Sequence, residues 1–334
     1  MKYDCIVIGA GICGLSAARR LAEYGKKVLV VEQSNQIGGL CREGHWKGTR
    51  FSIFGPHIFH TDDEEVWQFL SKFTDWTPFN SLYYVKSFCK GKLWSIPINY
   101  DELGDHAEYN ELLLKEYLYV DYNKKMWGND VDKVANNALT RLNYSSPLDK
   151  RYFKDKYQTF PKNGYNEMFL KMTEIKTMQI VLNTTFDPDD YEKGIPIIYT
   201  GRIDRLLGRS DLPFMTMGFQ IVLNGAFPWS DKYGVINFPQ DFDWIRAHSS
   251  KILYQQDTKE DVVIYEHPRG SGPECYPLVD NDSIRLWQDI DMEVYKNYPN
   301  IIAAGRAGKF EYMNMDKAVR SGLDAADKVL KGNK

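Results

Sequence analysis

The chain has 334 residues, 43% of them hydrophobic and 14% aromatic, which is enough for one large globular domain or two to three smaller ones. Its formal net charge is −3 and it contains no long run of Lys or Arg, so composition gives no support for binding to nucleic acid or to an anionic membrane. No apolar run approaches the roughly 18 residues that a membrane span requires.

The cysteines are five in number and scattered, without CxxC spacing: Cys5, Cys13, Cys41, Cys89 and Cys275. This pattern argues against a disulfide framework and against a structural zinc site, and it predicts a reducing, cytoplasmic location. The apolar run at residues 5–10 is short and ends in glycines, which predicts a strand rather than a signal peptide.

The first thirty residues show a strand, a glycine turn, a helix and a second strand. Residues 4–9 (DCIVIG) are apolar and β-branched, as in a buried parallel strand. Residues 15–24 are predicted to form a helix, and residues 27–31 a second strand. This order of elements is the opening of a nucleotide-binding α/β domain.

The turn between the first strand and the helix contains G-x-G-x-x-G, formed by Gly9, Gly11 and Gly14, and Glu32 follows eighteen residues after Gly14. Gly9 permits the tight turn, Gly11 lets a pyrophosphate approach the backbone, and Gly14 lets helix and strand pack closely. The helix N-terminus offers free N–H groups to the phosphates, and Glu32 can accept from a ribose hydroxyl. We therefore predict a dinucleotide site; the alternative is a glycine turn without a ligand.

A second glycine pair, Gly38 and Gly39, follows the acid within a few residues. This resembles the pattern of FAD proteins rather than NAD proteins. Near the end, residues 300–304 are predicted to form a strand, and residues 315–330 a helix. In two-part FAD folds such a helix points its N-terminus at the pyrimidine edge of the flavin, where it would stabilise the anionic reduced form. The alternative is an ordinary closing strand and helix.

Cys41 lies roughly where flavin disulfide reductases carry a redox cysteine. The partner would stand five residues later, but that position is Trp46. Because the dithiol is absent, we expect Cys41 to be a packing residue.

The middle of the chain shows no internal repeat, no low-complexity segment and no linker. Residues 79–98 alternate apolar and polar side chains, as a hairpin does, and residues 99–135 are helix-like. Four segments of the second half are strand candidates: 217–223, 235–238, 252–255 and 262–265.

The predicted fold class is therefore α/β, a Rossmann-like, two-part FAD-binding domain with a helical insert and an antiparallel β-sheet domain. The FAD-binding domain is expected at residues 1–75, 166–205 and 291–334. The helical insert is expected at 100–142, and the sheet domain, which would bind substrate, at 76–99, 143–165 and 206–290.

A loop at residues 54–61 (FGPHIFHT) carries two histidines, His57 and His60. Histidines three residues apart can bind metal, but no acidic or cysteine partner stands at ligand spacing, so no metal site is predicted. Loop packing and a position against the flavin remain as alternatives.

From this loop onward the chain resembles the UDP-galactopyranose mutase family. Ordered blocks carry the resemblance along nearly the whole chain: FGPHIFHT at 54–61, YNKKMWG at 122–128, YFKDKYQTFPKNGY at 152–165, YTGRID at 199–204, Tyr276-Pro277, Gly305-Arg306 and FEYMNM at 310–315. The resemblance implies a non-redox use of reduced FAD. Flavin N5 attacks the anomeric carbon, UDP leaves, and UDP-galactopyranose and UDP-galactofuranose are interconverted.

The resemblance also implies roles for individual residues. His57, His60, Arg269 and Arg306 are expected to be catalytic. The cofactor site would add Leu40, Met313 and Met315 to the glycines, Glu32, His57 and Arg306. The substrate site would comprise Tyr122, Trp127, Tyr157, Asn237, Arg269, Tyr276 and Tyr312, with Tyr122 along the uridine and the other tyrosines on the diphosphate. Core aromatic packing is the alternative for the aromatic residues.

The chain departs from the family pattern at the diphosphate. The family places two arginines there, one on a mobile loop, and Ser145 stands where the loop arginine is expected. Arg141 and Arg151 flank that position, whereas Arg269 is expected to be the second arginine. Since serine cannot imitate bidentate phosphate contact, we expect a weaker grip or a rebuilt loop.

Several points stay open at this stage. UDP-galactose is the expected substrate, NAD(P)H is an external reductant to consider, and the protein is either a monomer or a homodimer. The rival enzyme class is a flavin amine oxidase or desaturase, which shares the glycine-rich opening. Ring contraction of another sugar nucleotide and a catalytically silent flavin- or UDP-binding protein are the remaining alternatives.

Overall fold

The computed structural model describes residues 3–77, 85–96, 116–128, 152–190 and 194–332. Its strands, in chain order, are β1 (Cys5–Ile8), β2 (Val28–Val31), β3 (Glu43–Trp46), β4 (Thr49–Ser52), β5 (Phe59–Thr61), β6 (Trp76–Thr77), β7 (Val85–Cys89), β8 (Lys92–Ser95), β9 (Tyr157–Pro161), β10 (Met178–Val181), β11 (Ile197–Tyr199), β12 (Phe214–Leu223), β13 (Val235–Asn237), β14 (Arg246–Ser249), β15 (Val262–Pro268), β16 (Glu274–Pro277) and β17 (Ile301–Ala303). Its α-helices are α1 (Ile12–Glu23), α2 (Glu64–Leu70), α3 (Asp121–Trp127), α4 (Tyr165–Thr173), α5 (Ser250–Leu253), α6 (Asn281–Asn297), α7 (Gly305–Gly308) and α8 (Met315–Leu330).

The first sheet is parallel, with strand order β10-β2-β1-β11-β17. β1 and β2 are apolar throughout because helices cover both faces. On one face α1 and α8 pack over Val7 and Val30. On the other, α6 places Ile290 and Val294 against Ile6. The predicted Rossmann-like sheet is thus confirmed, with the strand and helix expected near the C-terminus.

The second sheet has the order β16-β12-β15-β14-β13-β7-β8 and is antiparallel except between β13 and β7. One face carries an apolar and aromatic cluster that includes Ile236, Phe238 and Ala247. The neighbouring position of β14, Arg246, belongs to the opposite face, because side chains alternate along a strand. Within the predicted hairpin, the described residues 85–96 form β7 and β8.

The prediction of a strand at residues 252–255 is wrong. Residues 250–253 form the short helix α5, and the strand of this region is β14, which ends at Ser249. The Ser249 hydroxyl accepts from the Ile252 N–H at 3.2 Å and donates to Asp261. This N-cap satisfies a backbone N–H at the helix start, so the chain leaves the sheet at Ser249.

Two smaller sheets complete the fold: β3 pairs with β4, and β9 lies between β5 and β6. The described part of the predicted helical insert is helical, as a π-helical turn at Glu116–Val120 followed by α3. The rest of residues 100–142 lies outside the described residues. The predicted domain boundary at 290/291 falls inside α6, which is one continuous helix packed on the parallel sheet. The domain division as a whole stays a prediction.

Candidate active site

The glycine turn after β1 has no room for side chains. A Cβ at Gly14 would lie 1.9 Å from the carbonyl oxygen of Gly9, and Gly9 itself has φ +94°. Gly11 pairs with Gly38 as an isolated parallel bridge, and a Cβ at Gly39 would lie 3.0 Å from the Cα of Gly11. The two predicted glycine loops therefore lie side by side, with α1 starting between them.

The N-terminus of α1 is open to an anion. Its N-cap, Gly11, makes no side-chain cap, and its first turn carries no acidic residue. Unpaired N–H groups at a helix start bind phosphate, and the helix dipole favours the negative charge. The bare glycine backbone and the uncapped helix suit the pyrophosphate of a dinucleotide.

Glu32 lies buried at the end of β2, beside this turn. Its Oε2 accepts from the backbone N–H of Ala10 at 2.7 Å, and its Oε1 accepts from the N–H and hydroxyl of Ser34 at 2.8 and 2.7 Å. These bonds fix the carboxylate next to the glycine loop. Each carboxylate oxygen has two lone-pair directions, and Oε2 uses only one of them. Oε2 can therefore still accept from a ribose hydroxyl.

Cys41 is buried and its Sγ lies 3.5 Å from Sδ of Met315. Burial raises the pKa of this thiol to about 12, so it stays protonated and unreactive at neutral pH. All five cysteines are buried and free. The buried environment of Cys41 agrees with the packing role expected from the sequence.

A cavity opens beside the second glycine loop, between the histidine loop, α3, the antiparallel sheet and the C-terminal segment. The histidine loop contributes Phe54, Gly55, Pro56, His57, Ile58 and His60 to its lining, and α3 contributes Tyr122, Asn123, Met126 and Trp127. The antiparallel sheet adds Val85, Phe219, Val235, Arg246 and Glu266. The remaining lining residues are Leu40, Tyr152, Phe153, Cys275, Tyr276, Arg306, Tyr312, Asn314 and Met315.

The N-terminus of α8 faces this cavity, since its N-cap Asn314 and first residue Met315 line it. Asn314 makes no side-chain cap to the helix. The sequence predicted this helix to point its N-terminus at a flavin edge. The structure brings that N-terminus to the same cavity as the histidine loop.

Arg306 is held rigidly at one wall. Its Nη1 donates to the carbonyl of Cys275 at 2.9 Å, and its Nε donates to the carbonyl of Met313 at 3.0 Å. The guanidinium carbon lies 5.0 Å from the ring centre of Tyr276 and 5.9 Å from that of Tyr312, and the two rings stack at 5.8 Å. Within the described residues no carboxylate pairs with Arg306, so its charge is available to an anion.

Arg246, at the start of β14, is the second cation of the cavity, and the sequence analysis missed it. Its Nη1 lies 3.2 Å from Oε2 of Glu266, its Nε donates to Oδ1 of Asn237 at 3.1 Å, and its Nη2 donates to the hydroxyl of Tyr122 at 2.6 Å. The available signal was an arginine that stands between two apolar residues, Ile245 and Ala247. Such a position predicts a buried charge that needs partners.

His57 is half-buried in the cavity wall, and its Nδ1 lies 2.8 Å from the carbonyl oxygen of Gly55. Burial lowers the pKa of His57 to about 4, so the imidazole is neutral at pH 7. A neutral ring that donates from Nδ1 to a carbonyl carries its lone pair on Nε2. His57 can therefore accept a hydrogen bond in the cavity.

His60 has a different environment. Its Nδ1 lies 3.0 Å from Oδ2 of Asp155, and its ring stacks on Phe153 at 3.6 Å. In the described part of the chain, no three His, Cys, Asp or Glu side chains come together as metal ligands would. The two histidines of this loop thus differ: His57 is a neutral ring in the cavity wall, and His60 is a buried ring paired with a carboxylate.

Two residues expected at the substrate, Tyr157 and Arg269, are not among the residues that line the cavity. Tyr157 lies on β9 with its hydroxyl 3.0 Å from Oε2 of Glu64 and its ring stacked on Trp67, outside the cavity lining. The Arg269 side chain lies against Gly128, and its Nη1 donates to the carbonyl of Met126 at 3.0 Å.

The other predicted residues also have definite positions. Asn237 is buried behind the lining and reaches it through Arg246, and Met313 contributes its carbonyl to Arg306. The three positions discussed for the loop arginine, Arg141, Ser145 and Arg151, lie outside the described residues.

None of the helices in the described ranges combines the length and apolar character of a membrane span.

The fold is that of a Rossmann-like, nucleotide-binding α/β protein, and its cavity is lined by two arginines, Arg246 and Arg306. Residues 7–73 match the model of an NAD(P)-binding Rossmann-like domain, and residues 117–312 match the UDP-galactopyranose mutase model. The latter match spans more than half of the chain, so the chain belongs to the UDP-galactopyranose mutase family. Members of this family are isomerases that carry a flavin.

Full-length relatives agree with this assignment. The chain is 26% identical to a probable UDP-galactopyranose mutase of Klebsiella pneumoniae, over 98% of this chain and 94% of the relative. It is 25% identical to dTDP-fucopyranose mutase of Escherichia coli, over 98% and 99%. A crystal structure of reduced UDP-galactopyranose mutase superposes with a TM-score of 0.76 at 15% identity, covering 99% of this chain and 94% of that one, which shows the shared fold.

Proposed function

We propose that this protein is an FAD-dependent mutase that interconverts UDP-galactopyranose and UDP-galactofuranose. One observation carries the proposal: a single cavity, next to two glycine loops and a helix N-terminus, joins the aromatic residues of α3 to Arg306 and two tyrosines. A nucleoside diphosphate sugar needs both surfaces, an aromatic one for the base and a cationic one for the phosphates.

FAD suits the cradle that the glycines form. The backbone N–H groups at the start of α1 would hold its pyrophosphate, and Glu32 would accept from its ribose. When bound in its reduced form, FAD supplies the nucleophilic nitrogen that the chemistry requires. The N-terminus of α8 would favour negative charge at this place, by about 0.3–1 kcal/mol or more where buried.

Arg306, Tyr276 and Tyr312 would stabilise the diphosphate as it leaves the anomeric carbon. The guanidinium supplies the charge and the phenols supply O–H donors, since burial raises the pKa of Tyr276 and keeps it protonated. Their mutual stacking and the two carbonyl contacts of Arg306 hold the donors in place before substrate arrives. Such preorganised donors act on charge that develops during the reaction.

Arg246 would take the diphosphate contact that the sequence analysis gave to Arg269. Its guanidinium lines the cavity, whereas Arg269 does not. Tyr122 and Trp127 would carry the uridine and sugar ends, and neutral His57 would accept from a hydroxyl of the cofactor or sugar. Because binding and orientation bring the anomeric carbon to the flavin, no protein nucleophile is required.

A second sugar nucleotide has specific support. The identity to dTDP-fucopyranose mutase, 25% over nearly the whole of both chains, is close to the 26% for the Klebsiella relative. Ring contraction of a dTDP-linked 6-deoxy sugar is therefore the second candidate.

We also propose a cytoplasmic location, supported by five buried free cysteines, and NAD(P)H as an external source of electrons for the flavin.

The test is a comparison of furanose substrates on purified, flavin-loaded protein reduced with dithionite under nitrogen. UDP-galactofuranose and dTDP-fucofuranose are supplied separately, and the products are resolved by anion-exchange chromatography. We expect faster conversion of the UDP sugar, and none by the oxidised protein. Faster conversion of the dTDP sugar would establish the second candidate. Oxygen uptake with a polyamine, without conversion of either sugar, would support an amine oxidase instead.

A further inference from the structure

The helix α3 continues the π-helical turn at Glu116–Val120 and contributes Tyr122, Asn123, Met126 and Trp127 to the cavity. Helical segments of about 12 residues are only marginally stable in isolation, so the position of α3 depends on its tertiary contacts. Its position in the described structure is fixed by side chains that reach across to the antiparallel sheet. Those contacts decide where two of the proposed substrate residues lie.

Lys125 makes the largest of these contacts. Its Nζ donates to three backbone carbonyls, those of Phe238, Asp241 and Phe242, at 2.7, 2.9 and 2.8 Å. An ammonium has three N–H donors and no acceptor, so these carbonyls use its full hydrogen-bonding capacity. Burial lowers the pKa of Lys125 to about 8, which leaves it protonated at neutral pH.

The three carbonyls belong to the turn that joins β13 to β14. β13 ends on Asn237 and β14 begins on Arg246, and the turn is closed by the Phe238 N–H donating to the Ile245 carbonyl at 2.8 Å. Lys125 therefore binds the same turn that sets the position of Arg246. A movement of that turn therefore changes the distance from Arg246 to α3.

A second contact spans the same gap. The Tyr122 hydroxyl accepts from Nη2 of Arg246 at 2.6 Å, and Tyr122 stands three residues before Lys125, on the same side of the helix. At the other end of α3, Arg269 donates to the carbonyl of Met126. The helix is thus attached at both ends, with Lys125 at the centre of the attachment.

We propose that Lys125 is a positioning residue, which holds α3 at the distance from β14 where Tyr122 contacts the uridine and Arg246 the diphosphate of the bound nucleotide. The inference rests on the proposed function for the identity of the ligand. Lys125 lies outside the cavity lining and acts through Tyr122 and Arg246. Its loss would let α3 shift while the flavin cradle, on the other sheet, stays intact.

The experiment compares Lys125→Met with Lys124→Met, a matched change one residue away. Lys124 is exposed and pairs with Glu116 and Asp121 on its own segment. The dissociation constant of UDP is measured by calorimetry on the reduced, flavin-loaded proteins, and KM and kcat are measured with UDP-galactofuranose. We expect Lys125→Met to raise the UDP dissociation constant and KM about tenfold or more, with kcat changed less, since hydrogen bonds to a charged group are lost. Lys124→Met should stay within twofold.

A double-variant cycle separates positioning from general destabilisation. Tyr122→Phe removes the hydroxyl that Arg246 contacts, so Lys125→Met in that background should raise the UDP dissociation constant by only threefold or less. Equal effects in both backgrounds would overturn the proposal, as would equal losses in Lys125→Met and Lys124→Met. If Lys125→Met does not retain flavin, Lys125→Gln, which keeps two donors, is judged by the same criteria.

The two proposals fail in different ways. A wild-type protein that binds UDP but does not convert UDP-galactofuranose would contradict the proposed function and leave the calorimetric comparison valid. A wild-type enzyme that converts the sugar, with Lys125→Met binding UDP as tightly as wild type, would overturn the positioning role alone.

Discussion

Replacing Arg246 with methionine is expected to damage the protein in two separable ways. The first is a loss of stability, because the carboxylate of Glu266 is only 3% exposed and would remain buried without its cation. Removing one partner of a buried ion pair costs about 3–5 kcal/mol in the free energy of unfolding. Asn237 and Tyr122 would each lose a donor as well.

The second effect is on the ligand. A charge-assisted contact to phosphate contributes about 1.5–3 kcal/mol, so the dissociation constant of UDP should rise about tenfold to a hundredfold. The variant Arg246→Met with Glu266→Gln is the matched control, because the buried charge is gone from both sides. It should recover at least half of the lost stability, whereas its affinity for UDP should stay as low as in the single variant.

Stability is measured by urea denaturation followed by flavin fluorescence, and affinity by UDP titration of the folded proteins. A loss of less than about 1 kcal/mol in Arg246→Met would contradict the argument that the charge of Arg246 stabilises the buried carboxylate of Glu266. Recovery of UDP affinity in the double variant would show that Arg246 supports the fold and does not contact the ligand.

Three further predictions concern other parts of the molecule. Gly14→Ala should abolish flavin binding, seen as loss of the flavin absorbance of purified protein, because the new Cβ would lie 1.9 Å from the Gly9 carbonyl oxygen. Burial lowers the pKa of His248 to about 3. Below about pH 6.5 this histidine is therefore protonated in the unfolded chain but neutral in the folded one, and the free energy of unfolding decreases as the pH is lowered. His248→Leu should make that fall shallower by up to about 1.4 kcal/mol per pH unit, measured by denaturation at pH 6 and 5; an unchanged slope would contradict the pKa. Tyr157→Phe should leave UDP affinity within twofold of wild type while Tyr312→Phe weakens it, and the reverse order would restore Tyr157 to the substrate site.

The cofactor cradle could be predicted because its information is local. Gly9, Gly11, Gly14 and Glu32 stand within one strand–helix–strand unit, where spacing along the chain fixes position in space. The helix predicted at residues 315–330 is likewise present, as α8. Local rules of this kind require no knowledge of the rest of the fold.

The substrate side depends on distant contacts, and the prediction was weaker there. Arg246 gains its position from Tyr122, 124 residues away in the chain, and from Glu266 on the next strand. Arg269 was expected at the diphosphate because it precedes the Tyr-Pro block, but its side chain contacts the end of α3, 143 residues away in the chain. The strand predicted at residues 252–255 failed for a smaller reason, the helix cap supplied by Ser249.

The central claim is that the flavin is used without net oxidation or reduction of the sugar, and turnover per flavin tests it most directly. The protein is reduced once with a single equivalent of dithionite under nitrogen, excess reductant is removed, and UDP-galactofuranose is added while the flavin spectrum is recorded. We expect many molecules of UDP-galactopyranose per flavin, with the spectrum remaining that of the reduced form. Consumption of one sugar nucleotide per flavin, with a two-electron-reduced sugar as the product and the flavin reoxidised, would contradict the account and place the protein among the flavin oxidoreductases.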